Sequence, residues 1–219
     1  MAILCGLGVW QMQRLTWKEA LIATVGGHMR APPVSLDEAL HMSADDVQYR
    51  NVALNGRFDN SKEAYVFTTG AGGEPVYHVL TPFITGDGRT LMVDRGEIPQ
   101  DKLPPQSRTA VDGATQVVGV WRVPDSPGFF TPKPEPARHV WYARDLAGIA
   151  AADRVKLAAP VVIEADSQPN PGGWPRGGQT VVDFPNNHLS YAVTWFGLAA
   201  GLIGVYFAYH ISKGRLALT

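Results

Sequence analysis

Cysteine occurs once in the sequence, at Cys5, which excludes internal disulfides and every metal or redox site built on paired cysteines. A basic surplus is missing as well. The 19 lysines and arginines face 20 aspartates and glutamates, a formal net charge of -1, so nucleic acid is excluded as an expected partner. No Gly-x-Ser-x-Gly elbow and no glycine-rich phosphate loop is present, and no nucleophile stands at a recognisable spacing from a base. The chain therefore does not read as an enzyme. The most telling absence is of charge, since Leu189 to Ile211 contains no Asp, Glu, Lys or Arg.

That run makes a helix of roughly 35 Å, enough to cross a bilayer core of about 30 Å. Asn186, Asn187 and His188 open it, and Lys213 and Arg215 follow it. Near the other end, Ile3 to Trp10 is apolar but gives only about 12 Å of helix, too short to span alone. It reads as the tail of a membrane helix that begins upstream; a clipped chain or a short interfacial helix are the alternatives. A cleaved signal peptide is disfavoured, because no basic stretch precedes the run and no small-x-small site follows it. Trp10, Arg14 and Lys18 recur every fourth residue, so one helix face would carry an aromatic and then two cations out of the bilayer.

From Pro32 the pattern changes to short β-prone runs separated by turns: Val47 to Phe58, Ala64 to Thr69, Tyr77 to Thr85, Arg89 to Arg95, Thr115 to Val123, Val140 to Arg144 and Pro160 to Glu164. Asp87-Gly88 between two of them predicts a hairpin. Leu146 to Leu157 predicts one short helix, residues 124–136 with five prolines a long loop, and residues 168–178 a Pro/Gly-rich linker. The expected fold is a membrane-anchored β-rich (α+β) domain. Its soluble part is an antiparallel sheet or barrel-like structure, closed to avoid free edges, lying between a truncated-looking N-terminal helix and a C-terminal transmembrane helix. The corresponding segments are 1–28, 29–185, 186–211 and a tail at 212–219.

The residues at both ends also carry a resemblance. Leu7-Gly8-Val9-Trp10-Gln11-Met12-Gln13-Arg14-Leu15-Thr16-Trp17-Lys18 resembles the N-terminal signature of the Surfeit-locus (Surf) family of cytochrome c oxidase assembly factors. Asn55-Gly56-Arg57-Phe58 is similar to the family's Gly-x-Phe strand end, Thr81-Pro82-Phe83 to its Thr-Pro-Phe block, and Asn187-His188-Leu189-Ser190-Tyr191-Ala192-Val193-Thr194-Trp195-Phe196 to its C-terminal membrane signature. At Asp94-Arg95-Gly96-Glu97-Ile98-Pro99 the family usually reads Asn-Arg-Gly-Trp-Val-Pro, so Asp94 and Glu97 depart from the pattern. The resemblance implies two membrane helices with both ends in the cytoplasm or matrix and a β-rich domain on the opposite side. It also implies a role in inserting haem a into oxidase subunit I, with subunit I and haem a synthase as partners. The matching location is a bacterial inner membrane with the domain in the periplasm, or alternatively the mitochondrial inner membrane.

His188 could ligate haem iron, with Tyr191, Ala192 and Trp195 on the adjoining helix face, or could simply sit among headgroups. Trp195 and Tyr191 read equally as interfacial anchors. Trp10, Gln11, Arg14 and Lys18 could meet haem propionates, since a cation just outside a bilayer suits a carboxylate, or the two cations could snorkel to headgroups. Gly197 and Gly201 form a Gly-x-x-x-Gly face that lets another helix approach, either the N-terminal helix or a client's. Arg95-Gly96 predicts a turn or bulge with Arg95 paired to a carboxylate. His28, His41, His78, His139 and His210 read as surface or hydrogen-bonded residues, and Asp45-Asp46 as a solvated pair. Two functions stay open: a haem a binding assembly factor, and a scaffold that stabilises an oxidase intermediate without haem.

Overall fold

The computed structural model describes residues 1–70, 72–124, 127–182 and 184–215. In chain order the elements are α1 (Ala2–Arg30), β1 (Val34–Ser35), α2 (Leu36–His41), α3 (Ala44–Val47), β2 (Asn51–Phe58), β3 (Ala64–Thr69), β4 (Pro75–Thr85), β5 (Thr90–Pro99), β6 (Thr115–Arg122), β7 (Val140–Trp141), α4 (Leu146–Ala152), β8 (Val162–Ala165) and α5 (His188–Ser212). They divide into two compact units, Gly27–Val181 and a second made of Met1–Gly26 with Val182–Thr219.

In the first unit, β2, β6, β8, β5 and β4 hydrogen-bond in a ring that closes through a β2–β4 contact. The expected closure is present, but the pairing is mixed rather than antiparallel. β5 and β8 run parallel, as do β1 with β2 and β3 with β7. Parallel neighbours require a long crossover, and the chain between β5 and β8 supplies one that carries β6, β7 and α4. The closing contact pairs Gly56 with Thr85 and Phe58 with Phe83. A side chain at Gly56 would run into the Ile84 carbonyl, so glycine lets the two strands approach. Phe58 meets the buried Phe83 edge-on with ring centres 5.0 Å apart. The Gly-x-Phe and Thr-Pro-Phe blocks are thus the two halves of the barrel seam.

The β4–β5 hairpin turns at Asp87-Gly88 as expected, with Gly88 at φ 87°. Opposite Gly96 the register shifts between His78 and Leu80, and Gly96 itself takes φ 105°, the predicted bulge. The segment before β2 is helical where no helix had been expected, including at Asp45-Asp46, expected at a loop. Ser35 accepts from the Glu38 backbone N–H while its own N–H donates to the Glu38 carboxylate, a capping box that starts α2. Ser43 caps α3, whose first turn holds Asp45 and Asp46 in solvent. α4 stops at Ala152, short of Leu157, because Arg154 turns left-handed at φ 54°. Of the proline-rich loop, residues 125 and 126 lie outside the described residues, as do residue 71 of the glycine turn and 216–219 of the tail.

The core of this unit is continuous with the ring. Leu54, Phe83, Leu91, Val93 and Ile163 are buried together with Leu36 of α2, and Trp141, Met92 and Val162 are buried with Ile149 of α4.

In the second unit, α5 is the one helix among the described residues that is long and apolar enough to cross a membrane by length and composition. The expected N-terminal span is not confirmed. α1 is a 29-residue helix, but Arg14, Lys18 and Glu19 interrupt its apolar character midway.

Candidate functional site

His188 is the first residue of α5, following the N-cap Asn187. Its Nδ1 donates to the Gln11 side-chain oxygen of α1 at 2.7 Å, across 177 positions of sequence. Gln11 is buried. A histidine whose Nδ1–H is held in this way is the tautomer that keeps a lone pair on Nε2, which is the arrangement found when imidazole binds a metal through one nitrogen and is oriented through the other. The donor set therefore fits a metal centre, a haem iron included, that His188 would hold through Nε2.

The other expected site residues take separate places. Gln11 acts through His188 rather than as a free polar group. Trp10 and Tyr191 are exposed, Trp195 is half-buried, and Arg14 is exposed with its guanidinium 4.4 Å from the Trp17 ring centre. Lys18 lies 5.0 Å from the Phe184 ring centre. Gly197 and Gly201 do not pack against α1: nothing lies within 4 Å of a side chain built at either. The contact within the unit is made elsewhere, by buried Ala192 and Ala199 of α5 and buried Gly8 of α1, the last set against the Phe196 ring at 2.6 Å from where a Cβ would stand. Small residues still carry the packing, but seven apart along α5 instead of four.

The remaining histidines have protein partners. His28 Nδ1 bonds the Gln48 carbonyl at 2.9 Å, His41 Nδ1 the Asp37 carbonyl at 2.7 Å, His139 lies 3.6 Å from Asp153, and the His210 ring meets the Tyr206 ring at a tilt with centres 4.3 Å apart. His78 is the one that sequence reasoning undervalued. Its Nδ1 donates to buried Asp94 at 2.9 Å, and Asp94 also accepts from Arg144 at 3.0 Å and from the Gly96 N–H at 2.9 Å. The hairpin register could have revealed the pair. Asp94 lies opposite Leu80, which puts His78 two residues along on the same face. Arg95 does pair with a carboxylate, Glu63 at 3.1 Å, and Glu63 also holds Arg108 at 2.7 Å, all three side chains being buried.

Burial raises the energy of the charged Asp94, but the His78 hydrogen bond and the charges of His78 and Arg144 outweigh it and hold the carboxyl below its usual range. Burial likewise disfavours protonated His78, and Asp94 reverses that, so the imidazole keeps its proton to higher pH than an ordinary histidine. Asp94 stands where the family pattern reads Asn, and the charge gained is the one that His78 and Arg144 meet. Glu97, in the place of the family's Trp, is tied through its backbone to Arg176.

Compared with known proteins, the chain matches the SURF1 family over residues 1–200. It is 37% identical over 219 residues to Surfeit locus protein 1 of Mus musculus, covering 92% of this chain and 70% of the mouse protein. The human protein of that name is 36% identical, with 92% and 72% covered, and that of Takifugu rubripes 34%, with 95% and 92% covered.

Proposed function

The chain belongs to the SURF1 family, and from that premise we propose that it is a membrane-bound, non-catalytic assembly factor of cytochrome c oxidase that binds haem a and assists its insertion into subunit I. The observation that carries this reading is the His188–Gln11 hydrogen bond, which prepares Nε2 of His188 as a ligand. His188 would hold haem a through its iron, and the group would supply the iron and propionates of the cargo; the other tasks fall to residues of the chain. Gln11 fixes the tautomer and the ring plane. Arg14 offers a guanidinium to a propionate, and the exposed rings of Trp10 and Tyr191, with half-buried Trp195, offer aromatic surface to the porphyrin. Ligation by one histidine suits a carrier, which has to release what it holds.

The partners in this reading are haem a synthase and oxidase subunit I. The membrane is a bacterial inner membrane with the β domain in the periplasm, or the mitochondrial inner membrane, with which the animal relatives are compatible. A second reading has its own observation. The open Gly197/Gly201 face of α5 is available to a client helix, as a scaffold without haem would require.

Visible spectra of the protein purified from cells that make haem a separate the two. The carrier shows a haem a Soret band that His188→Ala abolishes and Gln11→Leu reduces by about tenfold in haem retained. Wild-type protein as colourless as the His188→Ala variant would leave only the scaffold.

A further inference from the structure

Around Glu164 in the Gly27–Val181 unit lies a second group of charges for which the haem reading has no task. Glu164 is buried, and two guanidiniums approach it: Arg144 at 3.6 Å and Arg122 at 3.8 Å, ion-pair distances beyond hydrogen-bond reach. Arg122 lies 4.7 Å over the Tyr49 ring centre, and its Nε, the atom 3.8 Å from the Glu164 carboxylate, is buried without a hydrogen bond. That donor has the Glu164 charge beside it but no hydrogen bond, which an acceptor entering within about 3 Å would supply. With His78 and Asp94 the cluster holds two carboxylates against two guanidiniums and an imidazole.

His78, Arg122, Arg144 and Glu164 line a pocket of about 400 Å3, within the range of small-molecule sites, and Asp94 is held by His78 and Arg144 outside its wall. His78, Arg122 and Arg144 contribute its cationic lining, and Phe67, Tyr142 and Val181 its apolar and aromatic lining. The composition selects a class of ligand. Two carboxylates already in the cluster repel a doubly charged anion, whereas one negative charge balances the cluster when His78 is protonated. The apolar lining asks for a body that inorganic anions lack.

We infer that this pocket binds a small organic monocarboxylic acid, its carboxylate meeting Arg122 and the neighbouring His78 and Arg144, and its apolar body lying against Phe67, Tyr142 and Val181. The site is independent of His188 and of whether the chain carries haem. The groups facing His78 are Asp94 of β5, Glu164 of β8 and Arg144. Since His78 loses its positive charge as pH rises through its elevated pKa, affinity for the acid falls over the same interval.

The test uses the full chain in lipid nanodiscs and fluorine NMR of 4-fluorobenzoate, with 4-fluorobenzamide as the uncharged control and empty nanodiscs as the blank. Expected are saturable binding of the benzoate and none of the amide, weaker binding at about pH 9 than at about pH 6, and a loss of about tenfold or more in Arg122→Gln. Val181→Asp places a like charge on an exposed lining residue and gives the same loss in a variant whose core is untouched, which keeps the test sound should Arg122→Gln not fold. Absence of saturable binding by the wild type, equal binding by Val181→Asp, or displacement by inorganic phosphate more effective than by acetate would overturn the inference.

Discussion

Asp94 is almost wholly withdrawn from solvent, and an isolated carboxylate there would lose its proton only at great cost. Donation from His78, Arg144 and the Gly96 N–H keeps it ionised, and the same contact keeps His78 protonated. The two shifts define a stability window. Asp94, with its folded pKa depressed below 3.8, contributes stability that is present above about pH 4 and is lost as pH falls through the folded value. His78, with its folded pKa raised above 6.5, contributes stability that is complete below about pH 6.5 and is lost as pH rises through the folded value. The thermal midpoint should therefore be highest between about pH 4 and pH 6.5 and decline on the alkaline side. His78→Gln should flatten that alkaline decline, and a wild-type midpoint unchanged from about pH 6 to about pH 9 would contradict the assignment. In the sequence, His78 reads as one of five unremarkable histidines, because its partner lies across a hairpin rather than along a helix.

Among the elements, β5 depends most on one residue. At Gly96 the backbone is left-handed, and a side chain there would collide with the Arg176 carbonyl, the atom that accepts from the Glu97 N–H beside it. Gly113 also has a left-handed backbone but opens onto free space. Gly96→Ala should thus cost more than about 3 kcal/mol of unfolding free energy, and Gly113→Ala only about 1 kcal/mol, as read from chemical denaturation. Equal costs would show that backbone conformation alone, without the Arg176 contact, sets the requirement. Strand and turn positions were readable locally: β3 starts and ends at the predicted residues, and the Asp87-Gly88 turn joins the predicted strands. The parallel partners β1, β7 and β8 were not readable as such, because they are short and their neighbours are fixed by crossovers distant in sequence.

For the molecule as a whole, the three buried clusters consist entirely of residues within the Gly27–Val181 unit. Among the described residues no member of those clusters belongs to α5, of whose apolar window only 11% is buried. A fragment of residues 27–181 should therefore fold alone and unfold cooperatively, and should leave membranes on alkaline carbonate extraction, while the full chain stays in the pellet. Release of the full chain by carbonate would show that α5 does not anchor it. Failure of the fragment to give a cooperative transition would show that the barrel needs the second unit.

Family membership, a helix long and apolar enough to cross a membrane, and most strands were determined by the sequence, because each is written in contiguous residues: a signature, an uncharged run, an alternation ending in a turn. Tertiary structure decided what each polar residue does. Gln11 is 177 positions from the imidazole it orients, Glu63 is 32 from Arg95 and 45 from Arg108, and Asp94 needs the hairpin to reach His78 and a separate loop to reach Arg144. The same holds for the seam where Gly56 admits the Ile84 backbone, and for Ala192 and Ala199 packing in place of Gly197 and Gly201. Hydrogen bonds and close packing act over about 3 to 4 Å in space, and periodicity along the chain does not report which distant residues come within that reach.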